Sequence, residues 1–338
     1  MTTTRVRPSV IATLFVAGTI IGLLTGELAL RIGGFRFQTF PTVQFGWPEP
    51  WAIDNVYTPD RDVFWVTRDY WDVLGSARRA HPAIMFMGDS STQFGTYPRL
   101  TLERLAARGS PFAGGVKVGV GGWSTEQGLA QLRRDVLPLR PRVVTILYGW
   151  NDHWLAYGRP DAEARPGRLS FWLSQHSRLA QLVLKVRFAI ASRASESQVR
   201  VELPRYRQNL ATMVHLAHDA GSQAVLITAP SDHVPGQEPR YLALRHVKRL
   251  SDVVPLHRAY VEATRQVAAA EGALVCDAAA AFDALGPTRR HHFMRDGIHL
   301  SEAGDGVLAN LLADCIERAA TERLDGAALN GPKTPGGR

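Results

Sequence analysis

Apolar and polar positions fall into alternating blocks along this chain, and from about residue 77 the blocks predict a repeating strand–helix order. The short apolar runs Pro82–Met87, Gly115–Val120, Arg142–Tyr148, Gln223–Thr228 and Ala273–Asp277 read as strands, the third (RVVTILY) being strongly β-branched. Between and after them, helix-period spacing covers Leu100–Arg108, Glu126–Val136, Pro204–Ala220, Val253–Glu271 and Ser301–Arg318. In the third of these helices Leu210, Met213, Val214 and Leu216 mark the apolar face. The alternation predicts an open parallel sheet with helices on both faces. Right-handed crossovers then carry the strand carboxyl ends to one edge, where such sheets bind ligands.

Four stretches depart from that rhythm. Pro8–Gly26 is an uncharged apolar run, and at about 1.5 Å per residue it matches the hydrocarbon thickness of a bilayer. Arg5 and Arg7 precede it, which favours a cytoplasmic N-terminus and a body moved across the membrane. A retained anchor is favoured over secretion after signal cleavage, because no Ala-x-Ala site follows the run. Residues 32–76 read as a juxtamembrane connector, with Trp47 and Trp51 near the interface and an irregular strand within Tyr57–Trp71. Residues 153–203 hold an Arg/Pro/Gly loop and a helix from Phe171 to Ile190, expected to be a crossover packed on the sheet. A lid over the site and a surface resting on the membrane are its alternatives. The chain thus divides into an anchor (1–31), the connector (32–76), a main domain (77–320) and a disordered tail (321–338).

Composition narrows the function classes. The net charge of +8 is almost wholly arginine, since lysine occurs only at 117, 185, 248 and 333. The arginines are scattered through Ala/Gly-rich surroundings rather than set in a stripe with aromatics, which argues against nucleic-acid binding. Cys276 and Cys315 each lie in an apolar stretch and are expected as buried thiols. No ligand cluster has metal-binding spacing, so neither metal nor cofactor is expected.

Four short blocks sit at the predicted strand ends and helix starts: Gly88-Asp89-Ser90-Ser91, Gly119-Val120-Gly121-Gly122-Trp123-Ser124, Gly149-Trp150-Asn151-Asp152 and Asp296-Gly297-Ile298-His299. The predicted fold gathers all four at one edge, and their residue types suit acyl transfer. The Ser90 hydroxyl needs a base to become a nucleophile, His299 is the candidate base, and Asp296 can fix its tautomer. The Ser90 N–H, the Gly122 N–H and the Asn151 amide are candidate oxyanion donors. The adjacent Gly121 leaves that glycine register open by one residue. Asp152 reads as structural, and His153, His291 and His292 as surface or satisfied histidines. Gly119-x-Gly121-x-x-Ser124 lacks the third glycine of a dinucleotide fingerprint and follows the second strand rather than the first. The Gly-x-Ser-x-Gly nucleophile elbow is absent.

In this order the blocks resemble those of the SGNH (GDSL-type) hydrolase superfamily, over residues 82 to about 318. The resemblance implies a flavodoxin-like, three-layer α/β/α sandwich around a five-stranded parallel sheet, here preceded by a transmembrane helix. It also implies Ser90 as nucleophile, Asp296 and His299 as its triad partners, and Gly122 and Asn151 as oxyanion donors. The first block reads GDSS where the family has GDSL. The anchor, the following Gly26–Phe35 sequence and the Tyr57–Trp65 segment look like membrane-tethered bacterial members. An ester hydrolase is therefore expected, acting on a small-molecule or carbohydrate ester, with an acetyl group among the candidate acyls. The alternatives are an O-acetyltransferase for an extracellular polysaccharide and a catalytically silent carbohydrate-binding protein on the same scaffold.

Overall fold

The computed structural model describes residues 7–37, 56–156, 159–194 and 198–329. Trp47 and Trp51 lie outside the described residues, as do positions 330–338 of the expected tail. Helix α1 runs from Pro8 to Ile32, longer than the uncharged run, and Pro8 opens it at a position where a missing N–H costs nothing.

Next comes a hairpin of β1 (Tyr57–Asp60) and β2 (Phe64–Thr67), followed by helix α2 (Tyr70–Ala80). The Asp60 carboxylate closes the hairpin turn by accepting from the Asp62 and Val63 N–H groups. Here the structure corrects the connector assignment. Tyr57, Val63, Trp65, Val66, Tyr70 and Leu74 are all buried in one core cluster with the sheet. The Trp65 indole N–H donates to Gly121 O (3.0 Å), and the Trp123 indole returns a bond to Trp65 O (2.9 Å). The folded domain therefore begins near residue 56, about twenty residues before the expected start at Ala77.

The sheet has five parallel strands, β3 (Ile84–Gly88), β4 (Gly115–Lys117), β5 (Val143–Leu147), β6 (Gln223–Ile227) and β7 (Leu274–Cys276), in the order β4-β3-β5-β6-β7. Four of them lie within the predicted runs, and β3 extends one residue past its run, to Gly88. After β3 come α3 (Ser90–Phe94) and α4 (Tyr97–Ala107); α5 (Thr125–Gln131) follows β4. Past Gln131 the predicted helix changes to a π-helical turn (Leu132–Val136) and then a 3₁₀ turn, so its last residues leave regular α geometry. The long β5–β6 connection holds α6 (Arg168–His176), α7 (Arg178–Ala194) and α8 (Leu203–Asp219). Then follow α9 (Leu242–Arg245), α10 (Val253–Ala270), α11 (Ala278–Asp283) and α12 (Glu302–Leu329).

Strand side chains alternate between two cores, as a period of two requires. Met85, Met87, Val144, Ile146 and Leu226 pack with α8, α10 and the hairpin. Ile84, Phe86, Val143, Val225 and Cys276 pack with α4 and α12 on the other face. The result is the expected α/β/α sandwich. Cys276 and Cys315 are buried free thiols.

Two further expectations fail. The helix predicted over Phe171–Ile190 is broken at Ser177, which is extended (φ −121°, ψ 126°), and α6 and α7 do not bury an apolar face on the sheet. Instead α7 starts against the end of α1, whose Glu27 accepts from its first N–H groups. The final helix runs on to Leu329, past the start assigned to the disordered tail. Residues 319–329 contain no proline and are rich in helix formers.

Candidate active site

The strand order reverses direction at β3, which lies between β4 and β5 although it is first in sequence. A crevice opens at the carboxyl ends of such strands. Three of the four blocks leave the sheet there, after β3, β4 and β5.

The β3–α3 turn needs Gly88. A Cβ at that position would lie 2.0 Å from Thr92 Oγ1 and 2.8 Å from Leu147 O. With that clearance Asp89 caps α3, its Oδ1 accepting from the Ser91 N–H (2.9 Å), and Ser90 becomes the first helical residue. The Asp89 Oδ2 accepts from Asn151 Nδ2 (3.0 Å), which ties the first block to the third. Burial pushes the Asp89 carboxyl pKa up, against the pull of the Ser91 and Asn151 hydrogen bonds.

The fourth block is a tight loop closed by a short antiparallel bridge between Phe293 and Leu300. Asp296 Oδ1 accepts the N–H groups of Ile298 and His299 (2.9 Å each), and Oδ2 lies 2.7 Å from His299 Nδ1. His299 Nε2 stands 2.9 Å from Ser90 Oγ across the crevice. The serine of the first block and the histidine and aspartate of the fourth thus form one hydrogen-bonded chain. Burial lowers the His299 pKa, but the Asp296 hydrogen bond and charge outweigh it and the net shift is upward. Asp296 shifts the other way: burial raises it, while His299 and the two backbone donors bring it below the usual carboxylate range.

In the second block the two adjacent glycines are not equivalent. The Gly121 N–H is taken by the Gln93 side-chain oxygen, which also accepts from the Tyr57 hydroxyl. Gly122 adopts the left-handed conformation (φ 76°), and among the described residues its N–H has no protein acceptor. Its carbonyl accepts from Arg200 Nη1 (2.7 Å). Arg200 is in turn fixed by Asp161 (2.7 Å); both side chains are almost fully buried. Asp161 also accepts from the Ser124 hydroxyl, so one buried ion pair grips both ends of the Gly122–Ser124 turn. Asp152 is structural, as expected. It accepts from the Thr125 N–H at the start of α5, and burial pushes its carboxyl up to about 7.

Sequence reasoning missed Gln93, Asp161, Arg200 and His233. The last donates from Nε2 to Asp296 O (2.8 Å) and so supports the His299 loop. None of these has a local signal, because each acts on a partner far along the chain. Of the histidines noted beforehand, His153 is buried and bonded to His257 (3.2 Å), and His292 Nδ1 lies 3.2 Å from Thr288 O. A cavity of about 460 Å³ lined by Glu126, Arg133, Arg165 and Arg205 includes none of Ser90, Asp296 and His299.

A serine, an imidazole and a carboxylate in sequence at the edge of a doubly wound sheet are the parts of a serine-type ester hydrolase. The chain belongs to the GDSL-like lipase/acylhydrolase family, whose family model matches residues 86–307, and it is accordingly a hydrolase of ester bonds. Solved structures similar to it include a lipase/acylhydrolase from Enterococcus faecalis (21% identity, 71% of this chain and 96% of that one, TM-score 0.48). A GDSL-like lipase from Bacteroides thetaiotaomicron is 17% identical (74% and 98%, TM-score 0.47). An acetylxylan esterase from Geobacillus stearothermophilus is 21% identical (69% and 93%, TM-score 0.46). No curated protein matches the sequence.

Proposed function

We propose that the protein hydrolyses a carboxylic ester through an acyl-enzyme on Ser90, with its domain tethered to a membrane by α1. The observation that carries the chemistry is the chain of contacts from Ser90 Oγ to His299 Nε2 (2.9 Å) and from His299 Nδ1 to Asp296 Oδ2 (2.7 Å). The Asp296 carboxylate can only accept, so it holds the proton on Nδ1 and leaves the Nε2 lone pair facing the serine.

As Ser90 Oγ attacks the ester carbonyl, its proton passes to Nε2, and Asp296 stabilises the imidazolium that forms. The carbonyl oxygen becomes an oxyanion and takes hydrogen bonds from the Ser90 N–H, the Gly122 N–H and the second Asn151 amide hydrogen. The first Asn151 hydrogen stays on Asp89, which fixes the amide plane. Collapse breaks the ester C–O bond, and His299 returns its proton to the leaving alcohol. Water then attacks the acyl-enzyme with His299 again as base, releasing the acid and Ser90.

Tethering is supported by the length and apolar surface of α1, none of whose residues is buried, and by the Glu27 bonds that join its end to the domain. A signal sequence destined for removal has no use for such a junction. Arg5 and Arg7, which precede the apolar run, support a cytoplasmic N-terminus and an extracytoplasmic domain.

Full-length protein in detergent, given acetyl, butyryl and octanoyl aryl esters, tests the reaction and ranks the acyl group. Ser90→Ala and His299→Ala should abolish turnover; wild-type rates in both would reject the hydrolase reading. Addition of an oligosaccharide acceptor separates hydrolysis from acyl transfer, since a transferase would release acylated sugar faster than free acid.

A further inference from the structure

Helices α6 and α7 carry exposed apolar side chains that the reaction does not use. On α7 the residues Leu179, Leu182, Val183, Val186 and Ile190 recur at helical spacing and form one stripe. Val183, Val186 and Ile190 are 51–66% exposed, and Leu169 and Trp172 on α6 are 69% and 55% exposed. At about 100° per residue, Arg178 and Lys185 fall on one flank of the stripe and Arg187 on the other. Residues 168–194 hold no Asp or Glu.

This surface is joined to α1 by a clamp. Glu27 accepts from the Ser177 hydroxyl (2.9 Å) and from the Arg178 and Leu179 N–H groups (3.0 Å each), capping the start of α7 with a negative charge. Four residues on, Arg31 donates to His176 O (2.7 Å) and caps the end of α6 with a positive one. Leu179 packs on Gly26. Farther along, Phe188 meets Phe37 (6.5 Å) and Lys185 lies over the Phe35 ring (5.5 Å). The apolar stripe therefore begins beside α1, at the level where the charged residues of α1 begin.

We propose that α6 and α7 form a second membrane contact, lying on an anionic phospholipid surface beside the point where α1 leaves the bilayer. An apolar stripe flanked by cations and free of carboxylates suits that interface: the aliphatic groups enter the acyl boundary while Arg and Lys stay among the phosphates. With α1 alone the domain can rotate about one axis. The second contact removes that freedom and gives the crevice a fixed orientation to the membrane. This inference rests on α1 being a retained membrane helix.

The test uses full-length protein in lipid nanodiscs, with an environment-sensitive fluorophore on Val186→Cys in one sample and on Leu14→Cys in another. Lipids brominated along the acyl chain act as quenchers. The expected result is blue-shifted, quenched emission at both positions. The Val186 signal should weaken in purely zwitterionic lipid and in Arg178→Gln/Lys185→Gln/Arg187→Gln, while the Leu14 signal stays unchanged. Quenching at Leu14 without quenching at Val186 overturns the second contact and leaves the anchor standing. No quenching at either position overturns the anchor reading and the inference together. A blue shift at Val186 that grows with protein concentration and ignores the brominated lipid assigns the stripe to a second copy of the chain, and also overturns it.

Discussion

Replacing Asp296 with Asn probes the relay at its hinge, because the side chain keeps its shape and loses its charge. The amide oxygen can still accept the Ile298 and His299 N–H groups now bonded to Oδ1. That leaves the NH2 group facing His299 Nδ1, across the 2.7 Å contact the carboxylate makes. An NH2 donates, so Nδ1 must accept and the imidazole proton moves to Nε2. There it faces Ser90 and cannot receive the serine proton. A wrong-tautomer replacement of this kind lowers kcat by about 10⁴ in serine triads, or about 5.4 kcal/mol of transition-state stabilisation. The pH profile carries a second signature. In the wild type His299 must be neutral to act, and Asp296 raises its pKa, so kcat/KM rises with pH through a value above the ordinary 6.5. Removing the carboxylate removes the group that favours the imidazolium, so the acid limb of the residual activity moves to lower pH. Steady-state kinetics on an aryl ester from pH 5 to 9 measures both effects. A loss smaller than tenfold, or an acid limb that moves upward, would refute the relay.

The other predictions concern the groups around the relay. Gly122→Ala forces a side chain into φ 76° and shifts the free N–H, so kcat should fall about a hundredfold while Ser90 still reacts with a phosphonate probe; unchanged kcat would remove Gly122 from the oxyanion site. Arg200→Met leaves Asp161 charged and buried without its partner, which should cost about 3–5 kcal/mol in chemical denaturation. The double change Asp161→Leu/Arg200→Met should recover much of that loss, and a double variant as unstable as the single one would contradict the ion-pair argument. A domain fragment starting at Ala77 loses the burial of Tyr57, Val63, Phe64, Trp65 and Val66, at roughly 2 kcal/mol each. That sum of about 10 kcal/mol matches the whole stability of a typical domain, so this fragment should not fold, whereas one starting at Val56 should; calorimetry of both decides it.

Much of this architecture is legible in the sequence because it is locally encoded. The five sheet strands are short apolar runs ending in glycine or polar turns, and three of the four blocks lie where such a run stops, the fourth just ahead of the last helix. Gly88 is readable as a turn residue from its position alone, and Asp296 and His299 are close enough in sequence to share one loop. The hairpin was harder to place, since Phe64, Trp65 and Val66 form an unbroken apolar run that fits a membrane interface as well as a core. Only the partners at Gly121 and Trp123 decide between them. The same holds for Arg200 and Asp161, an arginine and an aspartate in polar surroundings whose burial depends on Gly122 and Ser124, tens of residues away. The break at Ser177 is likewise invisible locally. No proline or glycine marks it, and the caps that stabilise it come from Glu27 and Arg31 on α1.

The central claim is that Ser90 forms the acyl-enzyme, and covalent trapping tests it most directly. Full-length protein is treated with a fluorophosphonate, and its intact mass and peptides are read by mass spectrometry. The account predicts one adduct per chain, on the peptide containing Ser90, absent in Ser90→Ala and much slower to form in His299→Ala. An adduct on another residue, or equal labelling of Ser90→Ala, would contradict it.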